Sequence, residues 1–381
     1  MFGNKGFNSD SVEKETQAKL DDIEKNLDKT VTVAIVGKVS AGKSSLLNAL
    51  FHKRRDEQLA TVGATSGVTT KVKRFKLSDK VEIMDSPGLG DIIDENSAAT
   101  RTAMLDIDVG ILVVTGSADV SQKQHYDELK DHCKQVFVVL NKIDEYDKKK
   151  AALKDVVAQW QDVLSLSNDE IIFQTCTDGY DPDYDPDMEL DIRGVDELRE
   201  AILTFLKKHG KDLLLAREME KKSVIARRII YGALAAVAVE AFIPGSALYI
   251  TGTQAAAIMS IHYIYTGEGL TKQHAIAAIP LFASQSIGAS AFLVAKSFLP
   301  PTGVLDIAAA VVAVTVTLAM LSTVNWMYEN GYNFDNKTEI KEQFNKFKKL
   351  LEHIGAKDII TEIIKTRDMS AIKKIIEQLV K

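Results

Sequence analysis

Val31 to Ser45 reads VTVAIVGKVSAGKSS. A run of β-branched and apolar residues, Val31–Val36, leads into Gly37, Lys38, Val39, Ser40, Ala41, Gly42, Lys43 and Ser44, the pattern G-x-x-x-x-G-K-S, with Ser45 next. Those types at that spacing suit the holding of a polyphosphate. The two glycines let the backbone turn tightly, so that its N–H groups point inward at phosphate oxygens. The Lys43 ammonium reaches the β- and γ-phosphates as a point charge. The Ser44 hydroxyl can ligate Mg²⁺, and a helix expected from Ser44 to Phe51 aims its positive N-terminus at the same oxygens. A purely structural glycine turn is the alternative. A strand before the loop and a helical pattern after it favour the phosphate.

Four more stretches come in the order that nucleotide hydrolysis needs. Val62–Lys71 (VGATSGVTTK) is a small-residue loop in which Thr70, or failing that Thr69, can close over Mg²⁺ and a γ-phosphate. Asp85-Ser86-Pro87-Gly88 ends the strand-like run VEIMD. There Asp85 would hold Mg²⁺ and the Gly88 N–H would meet the γ-phosphate. Leu89 then stands where many small nucleotide hydrolases carry a water-orienting glutamine, so the attacking water needs another guide. Asn141-Lys142-Ile143-Asp144 ends VFVVL. Asp144 can accept from the N1–H and exocyclic amine of guanine, a pattern adenine lacks. Lys142 can lay its alkyl stem over the base, and Asn141 can tie loops together. Thr175-Cys176-Thr177 comes after the run Ile171–Gln174, and its backbone N–H groups can meet the guanine carbonyl. Cys176 then serves as a small loop residue.

The elements that must position these groups alternate. Strands are expected at Val31–Val36, Val72–Leu77, Val81–Met84, Gly110–Val114, Val136–Leu140 and Ile171–Gln174, with helical patterns at Lys43–Phe51, Glu95–Leu105, Ser121–Cys133, Lys150–Leu166 and Val195–Lys207. That alternation predicts an α/β open sheet with helices on both faces and its chemistry at the carboxyl ends of the strands. At 381 residues the chain has room for two domains. A net charge of −6 gives no global pull toward nucleic acid. Two cysteines, Cys133 and Cys176, with no CxxC pair, indicate a reducing compartment. The opening MFGNKGFNSD lacks the apolar core of a secretion signal, so a cytoplasmic location is expected.

Together GKVSAGKSS, GVTTK, DSPG, NKID and TCT resemble the five motifs of GTPases of the translation-factor-related superclass, over about residues 31–207. DSPG followed by a hydrophobic residue, and GVDEL at Gly194–Leu198, resemble the Era-like branch. GKVSAGKSSLLNAL instead resembles dynamin-like GTPases, which carry serine at the position of Ser40. The resemblance implies GTP and GDP as ligands, Mg²⁺ held by Ser44, Thr70 and Asp85, and catalysis through Lys43, Thr70, Gly88 and Ser40. Ser40 would help to hold a K⁺ or Na⁺ ion, or else merely cap the loop. A homodimer through the GTP-binding or helical domain is a further implication.

Flanking regions have other characters. Residues 1–30 form an arm whose Ser11–Lys29 stretch reads as a helix with Val12, Leu20, Ile23 and Leu27 on one face, expected to pack outside the nucleotide domain of residues 31–210 or else to contact a partner or a membrane. Asp178–Asp191 (DGYDPDYDPDMELD) reads as a solvated acidic loop without the glycine and closing glutamate of a calcium loop. Lys207–Arg228 reads as one charged helix joining the halves. Between Ile229 and Met327 the acidic and basic residues are only Glu240, Glu268, Lys272, Lys296 and Asp306, and breaks at Pro244-Gly245, Thr266–Gly269 and Pro300–Gly303 predict helices near 224–242, 246–265, 271–298 and 304–328. This bundle of residues 211–335 has two readings. Its small residues and the basic flank Lys221, Lys222, Arg227 and Arg228 suit a membrane, and Ile307–Met327 is long enough to span one. Yet an all-round apolar helix equally suits the centre of a soluble bundle. PGSALYITGTQAAAIMSIHYIYTG resembles the domain of unknown function 697, often appended to Era-like GTPases. Glu240, His262, His274 and Asp306 are expected at helix ends or in internal pairs. Residues 336–381 return to amphipathic helices that would cover the bundle or a second subunit. The reading is a GTP-hydrolysing switch coupled to a membrane-associated helical domain, or a soluble switch whose bundle binds a protein or ribosomal partner.

Overall fold

The structure is a computed structural model that describes residues 9–59, 73–86, 107–167, 169–181, 185, 187–242, 246–283 and 304–353. The chain divides into two compact units, Lys29–Glu220 and Met1–Asp28 with Lys221–Lys381. In sequence, the first unit is an insertion into the second.

The Lys29–Glu220 unit is built on strands β1 (Val31–Val36), β2 (Lys73–Ser78), β3 (Val81–Ser86), β4 (Ile107–Val114), β5 (Cys133–Leu140) and β6 (Ile172–Gln174), in the order β2-β3-β1-β4-β5-β6. Only β2 runs antiparallel among these pairings. β1 lies at the point where the order reverses, with β3 on one side and β4 on the other, so a crevice opens beyond its carboxyl end. Helices α2 (Lys43–Leu50), α3 (Ser121–His132), α4 (Lys150–Leu164), α5 (Val195–Lys208) and α6 (Asp212–Met219) flank the sheet. Alternate residues serve alternate faces. Ala34, Val36, Leu112, Val114, Val138 and Leu140 share one core with Tyr126 and Leu129 of α3 and Trp160 of α4. On the other face Phe137 meets Phe205 of α5 edge-on.

β4 begins three residues earlier than the apolar run alone predicts, because it carries a buried charge. Asp108 is 1% exposed and accepts from Lys211 at 2.7 and 2.8 Å, from Lys134 at 2.9 Å and from the Thr32 N–H at 3.2 Å. Two ammonium partners make that burial tolerable. Lys211 is available because the charged helix expected over 207–228 is broken twice. Gly210 ends α5 in a left-handed conformation (φ 66°), and Glu220 is extended (φ −135°) between α6 and α7 (Lys222–Glu240).

The other unit consists of α1 (Ser9–Leu27), α7, α8 (Ser246–Thr266), α9 (Lys272–Ala278), α10 (Pro280–Ala283), α11 (Val304–Glu329) and α12 (Lys337–His353). The helix expected over 271–298 is interrupted at Pro280, which has no N–H to continue the ladder. The helix α1 departs further from its expected place. It packs within the helical unit: Leu20 is fully buried in the helical core, and Thr16 lies against Gly252 of α8. Polar contacts fix the register, with Lys272 paired to Asp21, its N–H donating to Glu24 at 2.7 Å, and Tyr249 donating to Glu15 at 3.2 Å.

Polar side chains inside this bundle pair among themselves. Gln254 donates to Thr317 at 2.8 Å, and Tyr265 to Asn325 at 2.9 Å. The polar residues noted in the sequence do not converge: Glu240 accepts from Thr253, His262 meets the Tyr328 hydroxyl at 2.7 Å, and the His274 N–H donates to Thr271, which caps α9. The Asp306 side chain lies outside the described residues. α12 lays Ile340, Phe344, Phe347 and Leu351 on the same core, and residues 354–381 lie outside the described part. Among the described residues one helical segment, Ala308–Glu329, is long and apolar enough to cross a membrane, and 78% of its most apolar window is buried inside the bundle.

Candidate functional site

The crevice beyond β1 gathers the carboxyl ends of β1, β3, β4, β5 and β6. Gly37 leaves β1 under β4, where a Cβ would collide with the Val113 carbonyl oxygen. Gly42 sits in a left-handed conformation (φ 84°) with Asn141 where its Cβ would be. Both glycines are therefore required by space as well as by torsion. Between them Lys38, Val39 and Ser40 are exposed and Ala41 is buried. Ser40 also holds a left-handed φ of 65°, which is unusual for a residue with a side chain. Lys38 forms an ion pair with Asp119, which caps α3 by accepting from the Ser121 N–H at 2.9 Å.

Lys43 starts α2 and is buried. Its ammonium donates to the carbonyls of Gly37 at 2.8 Å and Lys38 at 3.1 Å. Burial lowers its pKa from the usual lysine value, while the charge of Asp85 acts the other way. An ammonium has three donors. With two held by the loop, a phosphate oxygen can take the third, and a bound polyanion would restore the charge that burial disfavours. Asp85, opposite Ile35 in the register of β3 on β1, is 1% exposed. Ser44 is half-buried at the start of α2, and Ser45 comes next on it. A hydroxyl and a carboxylate, both oxygen donors, fit a hard divalent cation. Thr70, Gly88 and Leu89 lie outside the described residues.

The base-reading end is organised by Asn141, 1% exposed at the end of β5. Its Nδ2 donates to the Ala41 carbonyl at 3.2 Å and to the Thr177 hydroxyl at 3.1 Å, while its Oδ1 accepts from Thr175 at 3.0 Å. One amide thus joins the phosphate loop, β5 and the segment after β6. Lys142 takes a left-handed conformation (φ 62°) and turns the chain into a 3₁₀ turn, Ile143–Tyr146, that carries Asp144. Cys176 donates from Sγ to Asp144 Oδ1 at 3.2 Å. Burial and that carboxylate push the Cys176 thiol up to about 12, so it is a hydrogen-bond donor and no nucleophile. Thr175 differs from its expected role. Its N–H is spent on the Leu140 carbonyl at 2.8 Å, continuing the β6 pairing, so Thr175 contributes its hydroxyl to Asn141 and no N–H to a base.

Cys176–Asp178 (β7) pairs antiparallel with Asp191–Arg193 (β8), and Gly179 and Tyr180 after β7 are held by side chains near the end of α2. Arg55 donates to the carbonyl of Gly179 at 2.6 Å, Gln58 donates to that of Tyr180 at 2.9 Å, and the Tyr180 hydroxyl donates to the Lys53 carbonyl at 2.8 Å. These bonds accept on backbone carbonyls, which composition does not reveal. Among the described residues no cluster of acidic, histidine and cysteine side chains is placed to hold a metal.

Comparison with known proteins agrees with this geometry. The family model described as 50S ribosome-binding GTPase matches residues 32–142. A probable GTP-binding protein EngB of Protochlamydia amoebophila is 30% identical over 147 residues, 36% of this chain and 69% of that protein. GTPase Der of Thermosipho melanesiensis is 31% identical over 207 residues, 52% of this chain and 42% of that protein. Nuclear GTP-binding protein NUG1 of Saccharomyces cerevisiae is 40% identical over 65 residues, 17% of this chain and 12% of that protein. The matched stretches thus span less than half the length of the Der and NUG1 relatives. With a phosphate loop on β1, a buried carboxylate on β3 and the Ile143–Tyr146 turn after β5 at one end of the sheet, the chain belongs to the P-loop GTPase family.

Proposed function

We propose that this protein binds GTP with Mg²⁺, hydrolyses it to GDP and phosphate, and uses the difference between the two states as a switch. The observation that carries this reading is the Asn141 junction, where one side chain ties the phosphate loop to the base-reading segments. Lys43 and the loop N–H groups neutralise the phosphates, Ser44, Thr70 and Asp85 hold Mg²⁺, Gly88 meets the γ-phosphate, and Asp144 selects guanine. Positioning and charge neutralisation are the bulk of phosphoryl-transfer catalysis. Ser40, in its left-handed conformation at the loop's exposed rim, is the candidate ligand for K⁺ or Na⁺, as its resemblance to dynamin-like loops implies. Equal turnover in K⁺, Na⁺ and choline buffers would remove that role.

The output runs through the helical unit. A cytoplasmic, membrane-associated bundle, similar to the domain of unknown function 697 of Era-like proteins, is supported by exposed apolar side chains at the α7–α8 corner: Val239 is 66% exposed, Phe242 37% and Leu248 36%. These are the groups that would enter a headgroup layer. The second reading is a soluble switch whose bundle binds a protein, a ribosome or a second copy of the chain. It is favoured by the burial of Ala308–Glu329 inside the bundle. One experiment covers both: GTP turnover with and without anionic liposomes, with co-sedimentation read from the same tubes. Binding with faster turnover supports the membrane reading. No binding and unchanged turnover moves the search to protein partners. Failure to bind GTP, or no gain of xanthosine nucleotide affinity in Asp144→Asn, would overturn the switch itself.

A further inference from the structure

We infer that Arg193, on the β7–β8 hairpin inserted after the base-reading segment, is a positioning residue for guanine recognition: it fixes the turn that carries Asp144. This role rests on the guanine-nucleotide reading of the site. Arg193 grips the turn at both ends. At the far end its guanidinium forms a two-pronged ion pair with Asp147, Nη1 to Oδ1 at 2.8 Å and Nη2 to Oδ2 at 3.0 Å. The Asp147 N–H in turn donates to the Asp144 carbonyl at 3.1 Å. At the near end Arg193 is the cross-strand partner of Cys176. Cys176 donates to the Asp144 carboxylate at 3.2 Å. Asp191 completes the anchor, accepting from Arg193 Nη2 at 2.9 Å.

Ile143 and Tyr146 of the turn pack against the core, which holds its apolar side. An open pocket of about 470 Å³ lies beside it, lined by residues including Ile143, Tyr146, Asp147 and Arg193. Removing the guanidinium takes away the two-pronged hold on Asp147 and leaves the polar end of the turn without that anchor. A planar fork suits the two oxygens of the Asp147 carboxylate while also reaching Asp191, which a lysine ammonium cannot match. The insert that brings Arg193 back beside Cys176 runs through the acidic stretch 178–191, so that stretch serves the base site by returning the chain to it.

The test uses the full-length protein and compares affinities for GDP and for inosine diphosphate, which lacks the exocyclic amine that Asp144 reads. Wild type should prefer GDP; if it does not, the guanine reading fails and the role of Arg193 falls with it. Given that preference, Arg193→Ala should weaken GDP binding about tenfold and inosine diphosphate much less, narrowing the ratio between them, because a misplaced Asp144 loses the bond that distinguishes the two. Arg193→Lys should restore part of the ratio. An unchanged ratio in both variants, or equal losses for both nucleotides, would reduce Arg193 to a structural residue and overturn the proposal. Should Arg193→Ala fail to fold, the ratio in Arg193→Lys and in Asp147→Asn decides in the same way.

Discussion

Asn141 donates from Nδ2 to the carbonyl oxygen of Ala41, 100 residues earlier in the chain, at 3.2 Å. Both groups are buried, and the same amide serves Thr175 and Thr177. The phosphate loop and the segments after β5 and β6 are therefore tied into one frame.

Truncating that side chain should be felt at both ends. In Asn141→Ala, Ala41 O and two threonine hydroxyls lose their partner, and orphaned buried polar groups cost about 1–3 kcal/mol each. Thermal unfolding should show the nucleotide unit destabilised by at least about 2 kcal/mol. GDP affinity in fluorescence titration should fall tenfold or more. Wild-type affinity in this variant would mean the junction does not shape the site.

Asp108 makes a contrasting case, far from the nucleotide in chemistry though as deeply buried. Asp108→Asn leaves the Lys211 ammonium without its counter-charge, and breaking one partner of a buried pair costs about 3–5 kcal/mol. Lys134→Met should cost far less, because that side chain is 36% exposed. Urea unfolding of the two variants checks the order; a larger effect for Lys134→Met would show the pairing is misassigned.

Acid sensitivity has a traceable source. Hydrogen bonds from the Ser167 N–H and from Tyr126, with Lys130 nearby, hold the Glu170 carboxyl at about 2, below its usual 4.5. A depressed carboxylate contributes stability that is fully present above pH 4.5 and is lost as pH falls toward 2. Glu170→Gln should therefore lower the melting temperature at about pH 6 and converge with wild type near pH 2. Parallel curves across that range would count against the assignment.

The packing of α1 can be read by a double-mutant cycle. A methyl added in Gly252→Ala would collide with Thr16 Cγ2, and overpacking of this kind costs about 1–3 kcal/mol. Thr16→Ala removes that methyl, so the double variant should recover most of the loss. Additive losses would place α1 elsewhere.

Much of the nucleotide unit is legible in the residues alone, because its chemistry is local. Gly37, Gly42 and Lys43 act through one loop, Asp85 and Asn141 end strands whose apolar runs are plain, and a turn such as Ile143–Tyr146 needs few residues to form. Thr70 and Gly88 lie outside the described residues. Relations between residues distant in sequence needed the tertiary structure. Asp108 reads as a strand-breaking charge until Lys134 and Lys211 arrive beside it. In the acidic stretch the carboxylates of Asp178, Asp185, Asp187 and Glu189 are exposed, as a solvated reading expects, while Gly179 and Tyr180 are held by residues more than a hundred positions away. The helix α1 shows the limit most plainly. Its apolar face announces that it packs somewhere, but an amphipathic pattern encodes only the area to be buried. Its seat on α8 includes a glycine at position 252 that leaves room for the Thr16 side chain, 236 residues earlier in the chain.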